Sequence, residues 1–178
     1  MKAFQQKFEI SHSKPIEINL LGGTFEINTH DISTVELDAG QSRDLAIVPE
    51  IKDAGDRITI SGQSFTSFLP QNEKVVVKLK VPAGSKVYIE LTGGVFSLTG
   101  DYSDVSLQVS AGTIKIDLAL FSLKNLADIN LLAGDIRFYN SSILPIQIEK
   151  QTGRQIRFKT NSGGTVLAKV SLGEVKLK

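Results

Sequence analysis

Side chains that usually carry chemistry are scarce in this chain of 178 residues, which contains two His and no Cys. His12 and His30 lie apart in strand-like sequence, and neither has the HExxH or His-x-His partner that a zinc site requires. His30-Asp31 has the composition of a general-base pair. An acid at that place between two alternating segments is also what an Asx-type turn uses. Gly100-Asp101-Tyr102-Ser103-Asp104 and Asp53-Ala54-Gly55-Asp56 each offer two carboxylates to a Ca²⁺ ion. That falls short of the oxygen count such a site needs, and Asp with Gly is equally the composition of a plain turn. No G-x-S-x-G elbow, P-loop or G-x-G-x-x-G is present. The absence of Cys removes a thiolate nucleophile, a Cys-ligated metal and a disulfide framework. No catalytic residue, cofactor or metal site is expected, and the chain reads as a non-enzyme.

What remains is recognition. Phe65, Phe68 and Leu69 sit among Ser, Thr, Gln and Asn in a segment that joins two strongly alternating strands. Such aromatics either form a patch for a protein, a carbohydrate or a second copy, or fold back and plug the open end of the core. Lys115 and Arg137 occupy equivalent positions in two related phrases. That is the pattern of a basic face for an anionic polymer, or of an ordinary solvated face. The other outward candidates, Thr113, Asp117 and Asp135, are mixed in charge. Net charge is only +1, which argues against nucleic acid as a bulk electrostatic partner. The charge is unevenly spread, however. Residues 1–56 hold five Lys/Arg against ten Asp/Glu, and residues 149–178 hold seven against two. A chain that winds along an axis would carry opposite charge at its ends, which suits self-association or simply solvates the last strands.

The elements that would position these residues are strands. Apolar side chains alternate with polar ones at Ile16/Ile18/Leu20, Phe25/Ile27, Val35/Leu37, Leu45/Ile47, Ile58/Ile60 and Val75/Val77/Leu79/Val81. The same alternation runs through Val87/Ile89/Leu91, Val105/Leu107/Val109, Ile114/Ile116, Ile129/Leu131, Ile136/Phe138, Ile146/Ile148, Ile156/Phe158 and Val175/Leu177. This period of two predicts an all-β protein with one buried and one wet face. Only Ala119–Leu126 offers a helical turn, and it reads equally as a corner. No apolar run is long enough to span a bilayer, and the first residues lack the apolar region of a signal peptide. The chain is expected to be cytoplasmic or the soluble part of a longer protein.

A phrase with a Gly between two alternating segments recurs: Leu21-Gly22-Gly23-Thr24-Phe25, Leu91-Thr92-Gly93-Gly94-Val95-Phe96, Ser110-Ala111-Gly112-Thr113-Ile114, Leu132-Ala133-Gly134-Asp135-Ile136 and Ser171-Leu172-Gly173-Glu174-Val175. From Gly94 the marker glycines follow at Gly112, Gly134, Gly153 and Gly173, a period near 20 residues, with Gly164 off the series. A sandwich or barrel would show turn signals without a longer period. The period favours a β-solenoid, a stack of short strands turning at each Gly. The division expected is residues 1–74 as a sandwich-like N-terminal cap with longer strands and residues 75–178 as the Gly-bend repeats, in one continuous domain.

Val81-Pro82-Ala83-Gly84-Ser85-Lys86-Val87-Tyr88-Ile89 resembles the entry to the repeats of the bacterial "putative adhesin" β-strand-repeat family. Val109–Ile116 and Leu132–Phe138 are similar to the repeats themselves. The resemblance covers residues 75–178 well and the first third loosely. It implies a right-handed, single-stranded β-helix-like stack linked to the bacterial cell envelope, which would make the longer protein an envelope protein, with no catalytic motif to carry over. The expected function is a non-catalytic structural or interaction module whose partners are proteins, cell-surface polysaccharide or further copies of itself. The alternative is a carbohydrate-binding or carbohydrate-active protein on the same scaffold.

Overall fold

The computed structural model describes residues 2–9, 14–20, 23–42, 50–62 and 76–178. Phe65, Phe68, Leu69, His12 and the boundary at residues 74/75 lie outside the described residues. The chain runs β1(Lys2–Glu9), β2(Ile16–Leu20), β3(Thr24–His30), β4(Thr34–Ser42), β5(Glu50–Asp53), β6(Ile58–Gly62), β7(Val76–Pro82), β8(Ser85–Leu98), β9(Gly100–Asp117), β10(Phe121–Tyr139), β11(Gln147–Gln151), β12(Gln155–Lys159) and β13(Thr165–Leu177). The fold is all-β: these strands join one 13-stranded sheet that does not close into a barrel, and no helix occurs among the described residues.

Its centre is a run of parallel strands in register, β8, β9, β10 and β13. β2 and β3 together act as one further strand beside β8. Each long strand has two arms. In β9, Val105, Leu107 and Val109 point inward along the first arm and Ile114 and Ile116 along the second. The step from Val109 to Ile114 is an odd number of residues, so plain alternation would turn the second arm inside out. Gly112 absorbs the slip at a φ of 144°, a left-handed conformation that L-residues avoid. The bend therefore sends the apolar side chains of both arms to one interior.

Gly94, Gly112, Gly134 and Gly173 are direct register partners, and Gly23 stands next to Gly94, with the Val95 N–H donating to the Gly23 carbonyl oxygen at 3.1 Å. Their backbones are so close that a Cβ at Gly112 would be driven into the carbonyl oxygen of Gly94. Space and φ thus both require glycine along this column. Gly153 lies outside it, at the β11–β12 turn, where its carbonyl accepts from the Val175 N–H at 2.8 Å. The interval between Gly134 and Gly173 is therefore filled by an antiparallel hairpin, and the even spacing read through Gly153 was a coincidence of that hairpin's length.

In-register pairing stacks like on like. Phe25, Phe96, Ile114, Ile136 and Val175 form one buried row across the strands, and Ile18, Ile89, Leu107, Ile129 and Ala168 another. A short segment after Leu98 begins the next strand, where Phe121 pairs with Gly100 and Leu123 with Tyr102. The buried Tyr102 hydroxyl donates to the Thr99 carbonyl oxygen at 2.6 Å, and burial pushes its phenol well above the ordinary range, so it stays neutral. The corner is confined to residues 118–120, where the Asp117 carboxylate accepts from the Ala119 N–H at 3.0 Å, and residues 121–126 are already strand β10.

The ends differ from the middle. β12 covers one end with buried Ile156 and Phe158, and the Phe158 ring meets Phe138 edge-on with centroids 5.2 Å apart. Among the described residues β11 pairs only with β12 and is exposed at every position, so the alternation at Ile146/Ile148 does not bury Ile148, which remains 45% exposed. At the other end β1 pairs β4 and β4 pairs β7, all antiparallel where side by side. Strand order places the acidic first third and the basic last residues at opposite ends of the sheet.

Candidate functional site

The bend creates two outward faces, one on each side of the glycine column. On the first arm the outward residue four places before each column glycine is Asn19, Glu90, Gln108, Asn130 or Lys169. Parallel register sets these five side by side across β2, β8, β9, β10 and β13. Two places further on are Thr92, Ser110, Leu132 and Ser171. Together they line a trough of about 690 Å³ that crosses the strands. A second hollow of about 440 Å³ continues it and shares Asn19, Glu90 and Gln108. Tyr88, Glu17, Asp56 and Arg57 stand around this extension.

Several of these side chains are held in place. The Asn19 amide N–H donates to Glu17 Oε1 at 3.1 Å, and Arg57 Nη1 donates to Glu17 Oε2 at 2.7 Å. The Asn130 amide N–H donates to Asp128 Oδ1 at 3.0 Å. In both pairs a carboxylate two residues earlier on the same strand takes one amide N–H, so the amide's oxygen and its other N–H stay available. The Arg57 guanidinium, with help from Asn19, holds the Glu17 carboxyl below the usual carboxylate range, and Arg57 does the same to Asp56. Tyr88 is 41% exposed, with Lys86 Nζ 5.5 Å from its ring centroid.

The second face carries the basic residues. The register sets Lys115 beside Arg137 and Arg137 beside Lys176. Asp135 lies 3.4 Å from Arg137 and Glu174 lies 3.0 Å from Lys176, each two residues before its partner on the same strand. The Tyr139 hydroxyl and Asp135 hold the Arg137 guanidinium further above its ordinary range. Thr113 occupies the equivalent place before Lys115. The row is thus basic by residue type and largely neutralised by its neighbours.

The remaining candidates are held by neighbouring groups, and the segment 100–104, which has the composition of a turn, is instead the start of strand β9. His30 Nε2 donates to the Thr34 carbonyl oxygen at 2.7 Å across the β3–β4 bend. Asp53 receives Lys14 Nζ at 2.9 Å and the Gly55 N–H at 2.9 Å, which together hold its carboxyl low. Asp104 accepts from the Asn125 side chain at 3.3 Å. No group of three or more His, Asp or Glu that would hold a metal ion occurs among the described residues. No helix among the described residues is long and apolar enough to cross a membrane.

The trough row was missed by reading motifs for reactive residue types, since Asn, Gln and Ser pass for ordinary outward polar residues. The available signal was the constant offset of four residues before each column glycine.

An all-β chain with two ladder-like outward faces is the class of protein that this geometry defines. Comparison with solved structures finds the same fold in a "putative cell adhesion protein" from Clostridium sporogenes, at TM-score 0.64 and 9% identity, covering 99% of this chain and 98% of that one. At that identity the likeness is one of fold alone. A "putative adhesin" from Parabacteroides distasonis matches over 99% of this chain and 96% of its own at TM-score 0.29 and 14% identity. Another from Parabacteroides merdae matches over 99% and 95% at TM-score 0.23 and 9% identity. No family model matches the sequence, and no curated protein matches it.

Proposed function

We propose that this chain is a non-catalytic, adhesin-like interaction module of the bacterial cell envelope, built as a right-handed β-solenoid. It works through its repeated outward faces on cell-surface polysaccharide or protein. The observation that carries the reading is the column of five glycines, which repeats the same two outward-facing positions on each of the stacked parallel strands. Repetition of this kind matches a repeating or extended partner better than a compact substrate. The full-length likeness of fold to a protein described as a putative cell adhesion protein supports it.

The carboxylates beside the trough fit binding better than hydrolysis. A glycosidase needs a carboxylic acid whose pKa is raised so that it can protonate the leaving group. Glu17 and Asp56 are instead held ionised by Arg57. The test is co-sedimentation of the labelled chain with whole cells of the source organism and with their isolated envelopes. Saturable retention above that of an unrelated β protein of equal net charge is the expected result. Retention no greater than that control would overturn the reading.

A further inference from the structure

We infer that the trough on the first arm binds a linear, uncharged polysaccharide lying across the strands, with successive sugar units facing successive strands. This inference rests on the proposed recognition role and names its ligand class. The first argument is periodicity. Asn19, Glu90, Gln108, Asn130 and Lys169 are register neighbours, so the row spans four inter-strand spacings of about 4.8 Å each, or about 19 Å. A linear polysaccharide is the common polymer that repeats its hydroxyls at a comparable interval in one dimension.

The second argument is chemical. An amide offers both a donor and an acceptor, which is what a sugar hydroxyl presents in return. Asn19 and Asn130 are each fixed by a carboxylate on their own strand, so little side-chain freedom is lost when they bind. Ser110 and Ser171 add hydroxyls along the neighbouring row. Tyr88, in the continuation of the trough, supplies an exposed ring on which the apolar face of a sugar can rest.

The third argument is charge. The row contains one acid, Glu90, and one base, Lys169, which cancel across it. An anionic polymer would find no excess of positive charge here, and a peptide would find only Leu132 as a large exposed apolar contact among the trough's described outward residues.

The experiment is calorimetric titration of the full chain with cellohexaose, xylohexaose and chitohexaose, with hexagalacturonate as the charged comparison and the matching trisaccharides as a length test. At least one neutral hexasaccharide should bind saturably and more tightly than its trisaccharide. Gln108→Ala and Asn130→Ala should each weaken it about three- to tenfold, the range for loss of one or two hydrogen bonds. Lys115→Ala on the other face should leave it unchanged. These positions are outward-facing, and thermal melting of each variant checks that the fold is retained. Absence of binding by all three neutral hexasaccharides would overturn the inference, as would binding indifferent to Gln108 and Asn130, or preference for hexagalacturonate. Cell co-sedimentation separates the two levels. If wild type and Gln108→Ala/Asn130→Ala are retained equally, the inference falls and the recognition role stands; if neither is retained, both fall.

Discussion

On one side of the glycine column, Asn19, Glu90, Gln108, Asn130 and Lys169 face outward over a trough; on the other, Lys115, Arg137 and Lys176 form a basic row. Both rows are made by the same parallel register. In both, an acid stands two residues earlier on the strand, and they differ in the residue that the row itself presents. Before Arg137 and Lys176 stand Asp135 and Glu174, and each pair neutralises its own charge. Before Asn19 and Asn130 stand Glu17 and Asp128, which orient the amides but leave the amide oxygen and the second N–H outward. An acid in the same place neutralises a cation and arms an amide. With the in-strand acid common to both, the type of the row residue decides whether hydrogen-bonding groups are left facing outward.

The comparison breaks most completely if the column between the faces is removed. Gly112→Val places a Cβ into the Gly94 carbonyl at a left-handed φ, and urea denaturation should show a loss of at least about 3 kcal/mol. Gly55→Ala also sits at a positive φ, but with open space around it, and should cost about 1–2 kcal/mol. Equal losses would mean that close approach contributes nothing.

Beneath the second face, Phe138 is fully buried, and Phe138→Ala should destabilise by about 3–5 kcal/mol. Gln108→Ala, outward on the first face, should change stability by less than about 0.5 kcal/mol. A large loss for Gln108→Ala in the same denaturation assay would show that the trough row is structural.

The ion-paired row can be converted instead of destroyed. Asp135→Asn with Glu174→Gln should free Arg137 and Lys176 and move elution from a heparin column to distinctly higher salt. Glu90→Gln on the first face should move it much less. If the two shifts are equal per charge removed, the arrangement of the basic row is irrelevant and only net charge counts.

The smallest effect concerns pH. The ordinary carboxyl values of 4.5 for Glu17 and 3.8 for Asp53 are lowered by hydrogen bonds from Arg57 and Lys14. A folded value below the unfolded one contributes stability that is present above the ordinary value and lost as pH falls through the folded value. Melting temperature should therefore drop as pH is taken below about 4, and Glu17→Gln should flatten part of that drop. Glu17 is partly exposed and Asp53 exposed, so solvent screens both pairs and the change will be modest. A melting curve that is flat with pH in wild type would discard the ion pairs as contributors.

The strands were legible because a period of two is a local property, written wherever one face is buried. Ile16/Ile18/Leu20, Val87/Ile89/Leu91 and Ile136/Phe138 are all inward in the structure. Ile146/Ile148 shows the limit of that signal: alternation says which residues share a face, not whether anything covers it, and β11 lies at an edge with nothing packed over it. The series of glycines was legible as bends. Gly153 joined it by spacing alone, because a hairpin of suitable length imitates a turn of the repeat.

By itself, then, the sequence determined the strands, the inward residues and the positions of the bends, since each depends on steric and hydrophobic preferences of neighbouring residues. Only the tertiary structure decided which strands stand side by side. β2 and β3 pair with β8 more than sixty residues later, and Gly23 joins a column whose other members begin at Gly94. Register across such distances is set by packing of the shared core and by backbone contact along the glycines. The trough exists only once that register lines up Asn19, Glu90, Gln108, Asn130 and Lys169.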